Sequence, residues 1–378
     1  MEAKEQDKRW YLIRNDNGEW ISDDNVVFLT KTEARSLLIK ARLMNKEISI
    51  QHGCEGEIWC YKQQLKKIMN KRTDDFDKLN NKLKSLGYPS RMPSTYQYKL
   101  DECKKILTLT VSQQGLRANM QDDEGAFESW AIVLKYYLRK SLDKIIIDWE
   151  EPSNNPHRNV HFNRFVYRLS KFIQTYDWAL AAKSIPDIPP VLVCNVPGRE
   201  AAAIDKHKEG SEGWLECKYV ELYKNNYDVM NHQLPVGIFS GEVSKQNRFT
   251  AGQKSAIDIW GIRNDDFYIF ELKKPDNNPL GIISELTFYT NVIQDILSHR
   301  IQYPDKDDEN LKKALKHNFR GFKELYQCYM DGHIKNINAI MLADATHSSI
   351  TPELIDFMND SERLRSCGIK FAIQKTNI

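Results

Sequence analysis

The sequence predicts an α/β protein, α+β overall: a small N-terminal β-β-α-β-β module followed by a larger α/β sandwich. Three observations carry that expectation. Short apolar and polar runs alternate around one helical stretch near the N-terminus; helix-spaced apolar residues open the second part; strand-like runs, a further helix and closing strands follow. With 378 residues, 41% of them hydrophobic, the chain is long enough for a large core and two domains.

Residues 9–61 contain RWYLIRNDNGEW, VVFLT, the helical KTEARSLLIKARLM and EISIQHGCEGEIWCY, with Thr30 or Thr32 capping the helix and Gly53 and Gly56 in the last turn. The layout resembles small bacterial modules of the same order, and residues 1–70 are expected to form such an α+β unit. Between Tyr61 and Tyr98 the composition turns to Lys, Asn and Asp, broken by Gly87, Pro89 and Pro93, so 71–114 reads as a helical and linker segment holding the domain boundary.

The second domain is expected over 115–378. Phe127, Ala131, Leu134 and Leu138 mark one helix, and Phe162, Val166, Leu169, Ile173 and Tyr176 a second. PPVLVCNV, WLECKYVELY, LPVGIFS, SAIDIWGI and FYIFELK read as strands. Ile282–Leu297 reads as a strong helix begun by Asn278 and Pro279, an N-cap and first-residue pair. NINAIMLADA then reads as a buried strand, TPELIDFMND as a short helix and GIKFAIQ as a closing strand.

Charge narrows the function classes. Lys and Arg number 54 against 52 Asp and Glu, a net charge of +2, which excludes a histone-like polycation and leaves nucleic-acid contact to local arrangement. The charged N-terminus holds no secretory or transit signal, and no run approaches the roughly 20 apolar residues of a membrane helix. Seven scattered cysteines without a C-x-x-C pair suit a reduced, cytoplasmic protein. His157, His161, His207, His232 and His347 show no zinc spacing, and no phosphate loop supports ATP-driven chemistry.

The segment SAIDIWGIRNDDFYIFELKK carries the chemistry. Two strands flank Arg263-Asn264-Asp265-Asp266, so a hairpin turning between Asn264 and Asp265 sets Asp258 opposite Glu271, with Lys273 on the same face and Ile257, Ile259, Phe270 and Leu272 on the reverse. Opposed carboxylates in a buried ribbon need an offsetting charge, and a hard divalent cation bridged by both supplies one. The plain alternative is an exposed edge hairpin with ordinary surface charges.

D-I-W-G followed by F-E-L-K-K resembles the core of the PD-(D/E)XK nucleases, a restriction-endonuclease-like αβββαβ sandwich. That resemblance implies metal ligation by Asp258 and Glu271, with Lys273 serving the attacking water. It implies Mg²⁺ as cofactor, with Mn²⁺ able to substitute, DNA as partner, and a metal-dependent phosphodiesterase active in restriction or defence against foreign DNA. Further site candidates are Glu128 on the first core helix, with Glu124 one turn earlier, and Glu285 in a Glu-x-x-x-Tyr element that resembles the Gln-x-x-x-Tyr of recombination exonucleases; both Glu128 and Glu285 can also be ordinary first-turn helix charges. Glu242 is a weaker carboxylate candidate.

The long spacing to Asp258 marks 141–234 as an insertion. On its helix, Arg164, Arg168 and Lys171 form a basic stripe, either simply solvated or tracking phosphates. Self-association, or a protein partner, is assigned to the N-terminal module. The readings from other classes are a non-catalytic binding or scaffolding protein that keeps the nuclease fold, and an RNA-processing nuclease.

Overall fold

The computed structural model describes residues 11–14, 49–52, 74–88, 92–93, 95–152, 160–250, 255–274 and 276–378. The chain divides into two compact units, Met1–Leu79 and Asn80–Ile378. In the first, β1 (Tyr11–Arg14) and β2 (Ser49–His52) pair antiparallel, with Tyr11 opposite His52. The helix and remaining strands expected of the N-terminal module, with their caps, lie outside the described residues, as do His157, Cys54 and Cys60. Helix α1 (Asp74–Ser85) runs across the division.

The second unit is mixed α/β. Its first strands, β3 (Gln97–Asp101) and β4 (Ile106–Val111), correct the expectation of a linker: the compact unit begins at Asn80, not 115. Leu107, Leu109 and Val111 are fully buried at every second position while Thr108 and Thr110 are less so, the period-2 signal of a half-covered strand that the preceding Lys-rich composition masked. After the short α2 (Gln113–Arg117) and α3 (Phe127–Tyr137), β5 (Lys144–Trp149), α4 (Val160–Thr175) and β6 (Ala179–Ala181) complete a four-stranded sheet in the order β3-β4-β5-β6. Only its β3/β4 pair is antiparallel.

Next come β7 (Leu192–Cys194), α5 (Glu212–Tyr223), β8 (Val229–Pro235) and β9 (Ile238–Ser240). Helix α5 replaces the strand expected for WLECKYVELY. Aromatic and branched residues favoured a strand there, but Leu215, Tyr219 and Tyr223 recur every four residues, and the Ser211 hydroxyl caps the helix by accepting the Trp214 N–H at 3.3 Å.

The main sheet has the order β14-β13-β11-β10-β8, built from β10 (Ala256–Arg263), β11 (Asp266–Lys273), β13 (Asn336–Ala343) and β14 (Ile369–Gln374) beside β8. Strands β8, β10 and β11 run antiparallel in turn, whereas β11, β13 and β14 run parallel. Parallel neighbours need a crossover, and α6 (Ile282–Leu297) begins the one between β11 and β13. That connection also carries β12 (Ile301–Gln302), which forms a small sheet with β7 and β9, then α7 (Glu309–His317) and α8 (Phe322–Asp331). Helices α9 (Pro352–Asn359) and α10 (Glu362–Ser366) lead to β14. Strand β8, which pairs with β10 in the main sheet, begins within the stretch 141–234 that the sequence reads as an insertion.

Central position explains the composition of β11: its run is flanked on both edges and covered on both faces, so Phe267, Ile269, Phe270 and Leu272 are all fully buried. On one face, Tyr219 of α5 packs with Ile259, Phe270, Leu272 and Leu342. On the other lies α6, buried on nearly all sides.

Helices α3 and α6 start without a side-chain cap of their own, at Ala126 and Gly281. Each caps the other. Ser284 Oγ accepts the Ser129 N–H at 3.2 Å, Ser129 Oγ accepts the Ser284 N–H at 3.1 Å, and the two hydroxyls lie 2.8 Å apart. Both donors are first-turn N–H groups that no intrahelical carbonyl can satisfy, so the pair joins the two helices at the turns bearing Glu128 and Glu285. Ser129→Ala should therefore cost about 1–3 kcal/mol in urea denaturation, as a buried N–H loses its acceptor. A change within about 0.5 kcal/mol would show that the mutual caps contribute nothing.

Candidate active site

The hairpin forms in the expected register, with Ile259 opposite Phe270 and Arg263 opposite Asp266, and Asn264 takes the left-handed conformation (φ +55°) that Asn tolerates at a turn. The ladder stops one pair short of Asp258 and Glu271. There the Asp258 side chain replaces a backbone acceptor, its Oδ2 receiving the Leu272 N–H at 3.0 Å. On its other edge β10 pairs with β8 at Ile257 with Leu234 and at Ile259 with His232, while Gln233 between them is left-handed (φ +59°). Such a conformation is costly for a residue with a Cβ and persists only where its surroundings hold it. Here the Arg320 guanidinium donates to the Gln233 carbonyl, and Gln233 Nε2 donates to Glu216 at 2.7 Å.

Lys273 Nζ, 3% exposed as a side chain, lies 2.7 Å from Glu271 Oε1 and 3.2 Å from Glu285 Oε2. Glu285 comes from the first turn of α6, and its Oε1 accepts from Gln121 Nε2 at 2.9 Å. The Gln121 backbone lies so close to Gly281 that a Cβ there would meet its carbonyl oxygen at 2.3 Å, which is why a glycine precedes α6. Asp258, Glu271, Glu285 and Tyr289 line one cleft of about 720 Å³, Glu285 and Tyr289 sharing a helix face four residues apart.

Glu271 and Glu285 thus share one ammonium, and Asp258 adds a third carboxyl to the same cleft. Burial, reinforced by the charges of Glu216 and Glu285, pushes Asp258 well above the usual carboxylate range. Burial and then Asp258 raise Glu271 to about 7; burial and then Glu271 raise Glu285 to about 8. Burial alone would lower Lys273, but Glu271, Glu285 and Asp258 outweigh it, and its proton is held more tightly than in water. Glu271 Oε2 and Glu285 Oε2 are both buried and accept no N–H hydrogen bond, and the two carboxyls hydrogen-bond each other when one keeps its proton. Adjacent carboxyls whose protons a cation can displace suit a hard divalent ion that takes two protein oxygens and keeps its waters. Among the described residues no group of three or more His, Cys, Asp or Glu is arranged to hold a metal ion, and Glu271 and Glu285 both face Lys273.

Other sequence candidates lie elsewhere. Glu128 is 1% exposed and is held by Arg168, whose Nε donates to its Oε1 at 2.7 Å; Glu124 precedes α3 in a turn, and neither lines the cleft. The basic stripe of α4 is not a surface. Arg168 is taken up by Glu128, and Lys171 Nζ lies 2.5 Å from Asp295 Oδ2, which also accepts the Tyr167 hydroxyl at 2.8 Å. Only Arg164 of the three reaches the cleft, joined there by His161, Arg117 and Arg248. Glu242 is exposed in a loop, with its Oε1 accepting from Asn247 at 3.3 Å.

Glu216 went unnoticed in the sequence because its segment read as a strand. His232 lies 3.7 Å from Glu216 and 3.8 Å from Cys217 Sγ, a proximity no sequence spacing announces. All five cysteines among the described residues are free. Among the described residues no helix is long and apolar enough to cross a membrane. Comparison of the chain with family models, with curated proteins and with solved structures gives no match.

The raised carboxyl values set a pH dependence in the absence of metal. The folded protein holds protons that the unfolded chain releases near pH 4, so this contribution to stability is complete below that pH and is lost as pH rises through about 7 and 8. Each proton retained on folding adds a slope of about 1.4 kcal/mol per pH unit. In EDTA the wild type should therefore lose stability between about pH 5 and pH 8.5 more steeply than Glu285→Gln, and Mg²⁺ should restore stability chiefly at the alkaline end. Parallel wild-type and Glu285→Gln curves, by thermal unfolding, would rule out the buried proton.

Proposed function

We propose that the Asn80–Ile378 unit is a metal-dependent phosphodiesterase that hydrolyses DNA on a PD-(D/E)XK-like core. The observation that carries this reading is the meeting of Asp258, Glu271 and Glu285 in one cleft, with the Lys273 ammonium paired to Glu271 and Glu285. The order of elements supports it: with the intervening elements set aside, helix α3, the antiparallel strands β8, β10 and β11, helix α6 and the parallel strand β13 give the αβββαβ order of the resemblance.

Asp258 and Glu271 would hold Mg²⁺, or Mn²⁺ in its place, and the ion would supply Lewis-acid polarisation of the phosphate and a more acidic bound water. Lys273 has a narrower role than general base. Held as an ammonium by Glu271 and Glu285, it donates hydrogen bonds from Nζ and orients the attacking water or a phosphate oxygen. Glu285, steadied by Gln121, keeps that ammonium beside Glu271.

Digestion of supercoiled plasmid and of linear DNA with Mg²⁺, Mn²⁺ or EDTA tests the reading and separates internal from terminal cleavage. Cleavage with either metal and none in EDTA is expected, with Asp258→Ala and Glu271→Ala inactive but folded. Lys273→Met should lower single-turnover cleavage roughly 10²–10³-fold, the cost of losing one preorganised donor, while metal titration stays near wild type. Wild-type cleavage by either alanine variant would refute the assignment. A retained rate in Lys273→Met would remove Lys273 from the chemistry.

A further inference from the structure

One wall of the cleft carries polar atoms that its neighbours leave unsatisfied. The side chain of Arg164 is buried, 7% exposed as a residue, and one of its Nη atoms is spent on the Ala118 carbonyl at 2.7 Å, yet its Nε is buried without an acceptor. Arg248 Nε and His161 Nδ1 are likewise buried without hydrogen-bond partners. These three residues come from α4 and from the loop after β9, and all three line the same cleft as the carboxylates. An unpaired buried donor destabilises the fold, and the two guanidinium Nε groups around one space make a cost that an occupying acceptor would remove.

The chemistry of that acceptor follows from the donors. Two guanidinium groups offer N–H donors suited to a tetrahedral oxyanion, Arg is the residue best matched to phosphate, and the neutral His161 imidazole adds a donor in the tautomer that protonates Nδ1. His161 sits in the first turn of a 16-residue helix, whose positive end also favours an anion. Burial, and then the charge of Arg168, lower the Arg164 guanidinium to about 10, so an anion beside it would be held by a desolvated cation.

We propose that Arg164, Arg248 and His161 form a seat for one backbone phosphate of the DNA substrate, beside the carboxylate floor. The proposal rests on the reading of this cleft as a DNA-hydrolysing site, and it gives binding an order. The seat engages the strand without metal, and the carboxylates then act on a neighbouring linkage.

The test is binding of a DNA oligonucleotide in EDTA, where no cleavage is expected, by the full chain and by Arg164→Met and Arg248→Met. Each variant should bind at least roughly tenfold more weakly and lower the salt slope by about one phosphate contact. A neutral methylphosphonate linkage at the seated position should weaken the wild type similarly and leave the variants little changed. Inorganic phosphate at millimolar concentration should compete with wild type only. Arg248 lies nearer the surface, so Arg248→Met decides the question if Arg164→Met fails to fold. Wild-type affinity and salt slope in the folded variants would overturn the seat. Because the assay contains no metal, that failure is distinct from failure of the nuclease reading, which Asp258→Ala decides in the cleavage assay.

Discussion

Lys273 Nζ, a buried ammonium between carboxyls on two different elements, is the interaction about which the rest of the site is arranged. Removing a charge from water is costly unless it is paired, and Lys273 is paired twice, by Glu271 of its own strand and by Glu285 of α6. The sheet must therefore present Lys273 on the face that α6 covers, and α6 must begin where its first turn reaches the hairpin. The mutual capping of Ser129 and Ser284 and the close approach of Gln121 to Gly281 hold that start in place. Repulsion between opposed carboxylates, which the sequence left to a cation, is offset first by this ammonium. The crowding of three carboxyls around one ammonium raises their affinity for protons, and a divalent ion that displaces those protons fits the same place.

A second constraint is the burial of α4 on more than one side. A helix whose apolar stripe covers only one face leaves its cations in water. When the opposite side is covered as well, each cation needs a carboxylate, and Glu128 serves Arg168 while Asp295 serves Lys171. Breaking either pair would leave an uncompensated buried charge, a cost of about 3–5 kcal/mol. Glu128 is thus fully accounted for by structure. Arg164, with no carboxylate hydrogen-bonded to it, is left to face the cleft.

Strain gathers at the edge of the same cleft. Two ladders lapse at Asp258, one toward β11 and one toward β8, and Gln233 opposite it is held left-handed by Arg320 and Glu216. Regular pairing would have engaged both backbones. Its interruption frees the Asp258 carboxyl to bond the Leu272 N–H and still line the cleft. A local cost of this kind at the position of a functional carboxylate fits the usual placement of backbone strain.

The sequence by itself determined the hairpin, its register and the face shared by Asp258, Glu271 and Lys273, because a strand's period of two and a short turn are local properties. Helices α3, α4 and α6 and the closing strands β13 and β14 were legible for the same reason: apolar spacing reports one covered face. What depends on who covers the other face was not legible. Strands β3 and β4 were hidden by polar surroundings, α5 by its aromatic composition, and the fates of Glu128, Arg168 and Lys171 by packing that brings together residues more than 100 positions apart. The pairing of Glu285 with Lys273, the nearness of Glu216 to Asp258 and the unpartnered side-chain nitrogens of Arg164, Arg248 and His161 were decided only by tertiary structure. Charge pairing in a low-dielectric interior is set by distance in space, and local sequence pattern encodes only distance along the chain.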